Sequence, residues 1–154
     1  MISVLLPFTD ERFLLQEAMD SILQQTEREF ELILINNGND TLSLEIAAGT
    51  VKHDGRCQLI HEPATGIAFA LNTGIKNTSG DFIARMDADD IAHPRRLELQ
   101  LKHLQNYPDT DVVSCRTSVF PAETRNEGYR HFVDWQNGIL TADEHCRNRF
   151  IESP

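Results

Sequence analysis

The chain is short of positive charge. Its 154 residues hold 14 Lys and Arg against 24 Asp and Glu, a formal net charge of −10. Binding to nucleic-acid phosphates needs a basic face, and no Lys/Arg cluster is present, which argues against such a partner. Cysteine is scarce and odd in number, at positions 57, 115 and 146. No two of them form a CxxC pair, so neither a zinc site nor a redox dithiol is indicated. Three reduced thiols instead fit a cytoplasmic chain. No apolar run approaches the ~18 residues of a membrane-spanning helix. The opening MISVLLPFTDERF has no basic leader and no small-residue cleavage site, so it reads as a buried strand rather than a signal peptide. Two nucleotide-binding signatures are also missing: GxGxxG after a strand, and GxxxxGK[ST]. There is no internal repeat and no low-complexity tract.

What is present is an ordinary globular composition, 40% hydrophobic and 25% charged, in a chain long enough to bury a core. Residues 2–7 are a compact apolar run, hence a buried strand. Asp10 is an expected N-cap for a helix over 11–25, with Leu15, Ala18, Met19 and Ile22 at helical spacing. A second strand is predicted at 30–35, a helix over 41–52 with Leu44 and Ala47, and a third strand at 57–61. Gly66 opens a segment with Ile67, Ala70, Leu71 and Ile75 at helical spacing. A fourth strand spans 81–86. Pro94 stands where the next helix starts, with Leu97, Leu101 and Leu104 as its inner stripe. A fifth strand is predicted at 111–115. Beyond it the signal weakens: a polar loop over 123–128, a short helix over 134–140, and a helix over 142–150 opened by a Thr141/Glu144 capping box. Strands alternating with helices predict an α/β/α sandwich on a mainly parallel sheet.

In such sheets ligands sit at the C-terminal strand ends. Three polar clusters fall there: Phe8-Thr9-Asp10, Asn36-Asn37-Gly38-Asn39-Asp40, and Asp87-Ala88-Asp89-Asp90. Carboxylates two apart in an extended segment point the same way. Mg²⁺ or Mn²⁺ takes oxygen ligands, often one or two carboxylates plus substrate phosphates. Asp87 and Asp89 are therefore candidate metal ligands beside a diphosphate. Taken alone, the same residues make a solvated acidic turn with Asp90 capping a helix. Asn36 to Asp40 is either a βα turn with Gly38 at positive φ, or a place where an Asn amide meets a base edge. His93 reads as a helix-start residue. Phe132, Trp135 and Phe150 read as packing residues.

These residues resemble glycosyltransferase family 2. ISVLLPFTDE is similar to that family's first strand and base-binding loop, and SILQQTEREFELILINNGND to its second strand and acidic-acidic-glycine turn. The most specific stretch is GIAFALNTGIKNTSGDFIARMDADDIAHPRRLELQ. The resemblance implies a GT-A-like, Rossmann-type sandwich, incomplete at the C-terminus, with a donor-binding part over 1–115 and a partial extension over 116–154. It implies that Pro7, Phe8 and Thr9 line the base and ribose, that Asn37 reads the base edge, and that Gly66 and Asn72 lie beside the nucleotide. Asp87 and Ala88 would approach the ribose, and Asp89, with Asp87, the metal. The implied ligands are a nucleoside-diphosphate sugar, UDP being commonest, Mn²⁺ or Mg²⁺, and a saccharide or lipid-linked acceptor. Asn36-Asn37 departs from the usual paired aspartates. Family members continue for roughly a hundred residues that carry the acceptor site and a general base. No residue of 116–154 fills that role, so the chain reads as a truncated and inactive donor-binding part. Its exposed apolar surface is then expected to favour a homo-oligomer. The alternatives are a degenerate, non-catalytic assembly module and a nucleotidyltransferase. PFTDER lacks the Gly-rich basic loop that the latter would want.

Overall fold

In the computed structural model of the chain, residues 1–120 and 127–148 are described. The predicted Phe150, residues 123–126 of the polar loop, and the last two residues of the final helix lie outside them. Two compact units divide between Thr110 and Asp111.

The first unit is built on four parallel strands: β1 (Ile2–Phe8), β2 (Phe30–Asn36), β3 (Cys57–His61) and β4 (Phe82–Arg85), in the order β3-β2-β1-β4. The two inner strands are apolar almost throughout, because both of their faces are covered. Seven residues pair along them, from Ile2 with Phe30 to Phe8 with Asn36. On the outer side of β1, β4 pairs only as far as Leu5 with Arg85. The edge strand β4 alternates between half-buried and exposed residues.

Helices cover both faces. On one, Val4, Leu6, Phe8, Leu32 and Leu34 meet Leu15, Ala18, Met19 and Ile22 of α1 (Leu15–Leu23), Ala47 of α2 (Thr41–His53) and Leu97 of α4 (Arg96–Asn106). On the other, Leu5, Ile33 and Ile35 pack against Ala70 of α3 (Ile67–Lys76). The split follows from handedness. The chain moves from β1 to β2 to β3 in one direction and returns to β4 in the other, so right-handed crossovers place α3 opposite α1 and α2. Of the residues at helical spacing there, Ala70 is buried whereas Ile67 and Ile75 are exposed. The helix approaches the sheet through small residues: a Cβ on Gly74 would lie 3.1 Å from both Ile35 and Leu5 side-chain carbons.

Two other expectations fail for local reasons. Asp10 does not cap α1, which begins at Leu15. Its carbonyl accepts the Arg12 N–H in a preceding turn. Residues 111–115 form no strand. Val112 is 83% exposed, and two valines bury too little to hold an extended segment that no described strand pairs with.

In the second unit α5 (Glu127–Asn137) begins seven residues earlier than position 134. Gly128 and the charged residues mask its start, but Tyr129, Phe132 and Trp135 stack along one side at 6.2 and 5.6 Å between ring centroids. In α6 (Ala142–Asn148) the capping box is formed: the Thr141 N–H donates to the Glu144 carboxylate at 2.9 Å and Thr141 Oγ1 accepts the Glu144 N–H at 3.3 Å. No helix among the described residues is long and apolar enough to cross a membrane.

Candidate functional site

The strand order creates a switch point. Connections from β1 run outward to β2, and the connection from β3 crosses back to the far side of β1, so the loops after β1 and β4 diverge. Ligands of open α/β sheets occupy the crevice at such a point. The three polar clusters of the sequence follow β2, β1 and β4, which are adjacent strands, so the topology gathers them at one sheet end.

At the end of β4 the side chains alternate: Met86 buried, Asp87 part-exposed, Ala88 buried, Asp89 exposed. Met86 and Ala88 anchor the segment in the core and turn Asp87 and Asp89 outward. Arg85, two residues earlier and on that same outward side, grips Asp87 through Nε and Nη2 at 2.9 to 3.2 Å. Arg96 holds the strand end from α4, donating to the Arg85 carbonyl at 2.7 Å. Asp89 has no hydrogen bond or ion pair to any described residue. Burial raises the Asp90 carboxyl above its ordinary range, and the charges of Asp89 and Asp87 raise it further against the pull of Arg96 and Arg85. His93 takes its helix-start place, its Nδ1 accepting the Arg95 N–H at 3.2 Å.

The loops after β1 and β2 touch backbone to backbone. A Cβ on Gly38 would lie 2.6 Å from Thr9 Cα and O. Glycine is needed there for that approach and not for a positive φ, which among the described residues only Gly66 adopts. The Asn37 N–H donates to the Phe8 carbonyl at 2.9 Å. Thr9 is exposed, and Glu11 folds back to accept its N–H at 2.6 Å and its hydroxyl at 3.0 Å. The Phe8 ring is in the core, so what Phe8 and the buried Pro7 offer the crevice is backbone. The Asn37 amide is spent on the loop after β3, bonding the carbonyls of Glu62 and Ala64 and the N–H of Gly66. Asn72 is exposed on the second turn of α3, and no described contact ties it to the acidic cluster.

Sequence reasoning missed Arg85, Arg96, Glu11 and Glu62. Only Arg85 left a signal, its two-residue spacing from Asp87 in an extended segment.

Asp87 and Asp89 are the side chains at this sheet end that could share a hard divalent cation with a ligand. No group of three or more His, Cys, Asp or Glu side chains among the described residues could enclose an ion. The chain offers one free carboxylate, Asp89, and one held in place, Asp87. Phosphate oxygens and water would complete six positions, as Mg²⁺ commonly arranges.

Comparison with known proteins agrees with this architecture. The sequence model of glycosyl transferase family 2 matches residues 3–151. The bifunctional glycosyltransferase pgtA of Dictyostelium discoideum is 37% identical over 135 residues, 77% of this chain and 18% of that protein. The uncharacterized glycosyltransferase EpsJ of Bacillus subtilis is 33% identical over 115 residues, 75% of this chain and 33% of that protein. The chain thus spans a third or less of the length of these two relatives. Among solved structures, the mannosyltransferase PcManGT of Pyrobaculum calidifontis, in complex with GDP-Man and Mn²⁺, superposes with a TM-score of 0.62 at 22% identity, covering 67% of this chain and 32% of that one. TarS of S. aureus (residues 1–349), in complex with UDP, gives 0.63 at 18% identity over 70% of this chain and 32% of its own. At such identities the likeness establishes the fold, the GT-A-like sandwich that the sequence implied.

Proposed function

The chain belongs to glycosyl transferase family 2, and from that premise we propose that it forms the donor site of a glycosyltransferase, holding a nucleoside-diphosphate sugar and a divalent cation at the ends of β1, β2 and β4. The observation that carries this is the outward alternation of Asp87 and Asp89 at the switch point, beside the packed loops of Thr9 and Gly38. UDP is the proposed nucleotide and Mn²⁺ or Mg²⁺ the cation. The structural neighbours that hold UDP in one case and GDP-Man with Mn²⁺ in the other support this choice.

Asp89 takes the cation, and Asp87, steadied by Arg85, faces the ribose and the same ion. The backbone of Pro7 to Thr9 lines the nucleoside, and Gly66 lies at its side. A bound cation offsets the charge that builds on the departing nucleoside diphosphate. The group that deprotonates the acceptor hydroxyl is assigned to no described residue, and donor binding is the role proposed for the described ones. Three free cysteines support a cytoplasmic setting.

Calorimetric titration with UDP, GDP and dTDP, with and without Mn²⁺, tests the proposal. Saturable binding of one nucleotide that requires Mn²⁺ supports it. Binding of none returns the chain to the reading of a degenerate assembly module.

A further inference from the structure

Arg85 is the last residue of β4, and its guanidinium is only half committed. Nε donates to Asp87 Oδ1 at 3.0 Å, and Nη2 donates to Oδ1 at 2.9 Å and to Oδ2 at 3.2 Å. A guanidinium carries five N–H donors in a planar fork. The two on Nη1 bond to no described residue. Arg96, which reaches the same strand end from α4, is instead bonded to protein through all three nitrogens. Its Nη2 donates to the Arg85 carbonyl at 2.7 Å, Nη1 to the Met86 sulfur at 3.2 Å and Nε to the Gln100 side-chain oxygen at 3.2 Å. Arg96 therefore braces the backbone, while the Arg85 side chain stays 57% exposed with open donors.

Charge gives those donors a ligand. The carboxyls of Asp87, Asp89 and Asp90 follow Arg85 directly in the chain, and a nucleoside diphosphate brings further negative oxygens to them. One divalent cation leaves that assembly net negative, and the Arg85 charge beside Asp87 lowers the repulsion. Geometry agrees. A guanidinium matches phosphate oxygens, and one edge can do so while the other stays on a carboxylate. The Asp87 bonds already fix the plane of the fork, so less side-chain freedom is lost when an anion binds. As an exposed pair, Arg85 and Asp87 contribute little to stability. The use of the pair lies in aiming Nη1.

We propose that Arg85 is a phosphate-binding residue of the donor site: it keeps Asp87 on one edge of its guanidinium and offers Nη1 to the diphosphate of the nucleotide. The inference rests on the donor-site reading above. It has a second consequence. Without a diphosphate, the Arg85 charge competes with the cation for Asp87, so the cation and the nucleotide bind better together than apart.

Arg85→Gln removes the charge and Nη1 together. Arg85→Lys keeps the charge as a single point. Mn²⁺ binding to the full chain without nucleotide is read by water-proton relaxation, and UDP binding in Mn²⁺ by calorimetry. In Arg85→Gln, Mn²⁺ alone should bind about two- to fivefold more tightly, the scale of one exposed ion pair. UDP should bind about tenfold or more weakly, because charge-assisted hydrogen bonds to an anion are lost. A merely structural defect would weaken both ligands, so the opposite signs identify the role. Arg85→Lys should bind Mn²⁺ alone as wild type does and UDP with an intermediate loss, and it decides the matter should the neutral variant fail to fold. UDP binding as in wild type, or a loss for UDP matched by a loss for Mn²⁺ alone, overturns the proposal and leaves the donor-site reading standing. A wild type that binds no UDP overturns both.

Discussion

The side-chain carbonyl of Gln25 accepts the backbone N–H of Leu97 at 3.0 Å, with both residues buried. Leu97 lies in the first turn of α4, whose N-cap Arg95 makes no side-chain capping bond. The cap is supplied from elsewhere in the chain, by a residue two positions past the end of α1. The amide nitrogen of Gln25 donates to the Ser21 carbonyl at 3.0 Å and to the His93 carbonyl at 2.8 Å. Ser21 Oγ accepts the Ala92 N–H at 3.0 Å, and the Thr26 N–H reaches the Pro94 carbonyl at 2.8 Å. The end of α1 thus fastens the segment that directly follows the acidic cluster.

Replacing Gln25 with Leu leaves the buried Leu97 N–H without this partner and takes a part-buried bond from the Ser21 and His93 carbonyls, the latter keeping the Arg96 N–H. The expected cost is about 2–4 kcal/mol, since each buried group left unpaired costs about 1–3 kcal/mol. Urea unfolding should show a lower midpoint with an unchanged slope. Gln24→Ala, at the exposed neighbour, should stay within about 0.5 kcal/mol of wild type.

Two glycine substitutions should have opposite signs. Gly38→Ala drives a methyl into the Thr9 backbone, which has no flexible end to move, so stability should fall and metal-dependent nucleotide binding with it. Gly49 sits within α2, where an added Cβ meets nothing within 4 Å. Gly49→Ala should stabilise by about 0.5–1 kcal/mol through helix propensity. Thermal melts of the two variants check both signs.

The three thiols should separate kinetically. Burial pushes the Cys57 thiol up to about 11, with the nearby Asp54 charge adding to the rise. Cys115 and Cys146 are exposed. Because the thiolate is the reacting species, Ellman's reagent at neutral pH should label two cysteines quickly and the third slowly. Denaturant should bring all three to a common rate, and equal rates in the native chain would contradict the partial burial of β3's first residue.

Asp54 links stability to acid. Hydrogen bonds from Arg56 hold its carboxyl at about 2, below the ordinary 3.8. Arg56 also lies 4.5 Å over the Phe30 ring and bonds the Leu23 carbonyl at 3.3 Å. A lowered folded-state value stabilises the fold above the unfolded value, and the gain is lost as pH falls from about 4 to about 2. Partial exposure of the pair limits the gain to about 1–2 kcal/mol. Asp54→Asn should lower stability by that amount at pH 7 and flatten the acid limb of the unfolding midpoint against pH.

Much of this architecture was legible along the chain. Continuous apolar runs marked β1 and β2 because both faces of an inner strand are covered. The period of two through Met86, Asp87, Ala88 and Asp89 separated anchors from outward carboxylates. What stayed hidden depends on partners distant in sequence. Gln25 looks like a polar residue at a helix end until Leu97 is brought to it, and Asn37 looks free until Glu62, Ala64 and Gly66 are. Gly38 suggested a turn angle, whereas its reason is the Thr9 backbone beside it. The ring of Phe8 belongs to the period of Val4 and Leu6 and turns to the core with them. The two valines of 111–115 mimic a strand where none forms.

The measurement that tests the central claim most directly is paramagnetic broadening of amide NMR signals by Mn²⁺ in the presence of UDP. A cation on Asp89 at the switch point should broaden Thr9, Gly38 and residues 87–90, and should spare Gly55 and Gly80 at the opposite sheet end. Asp89→Asn should abolish the effect. Broadening centred instead on Asp20, Glu45 and Asp54 in the groove between α1 and α2, or spread evenly over the acidic surface, would contradict the account.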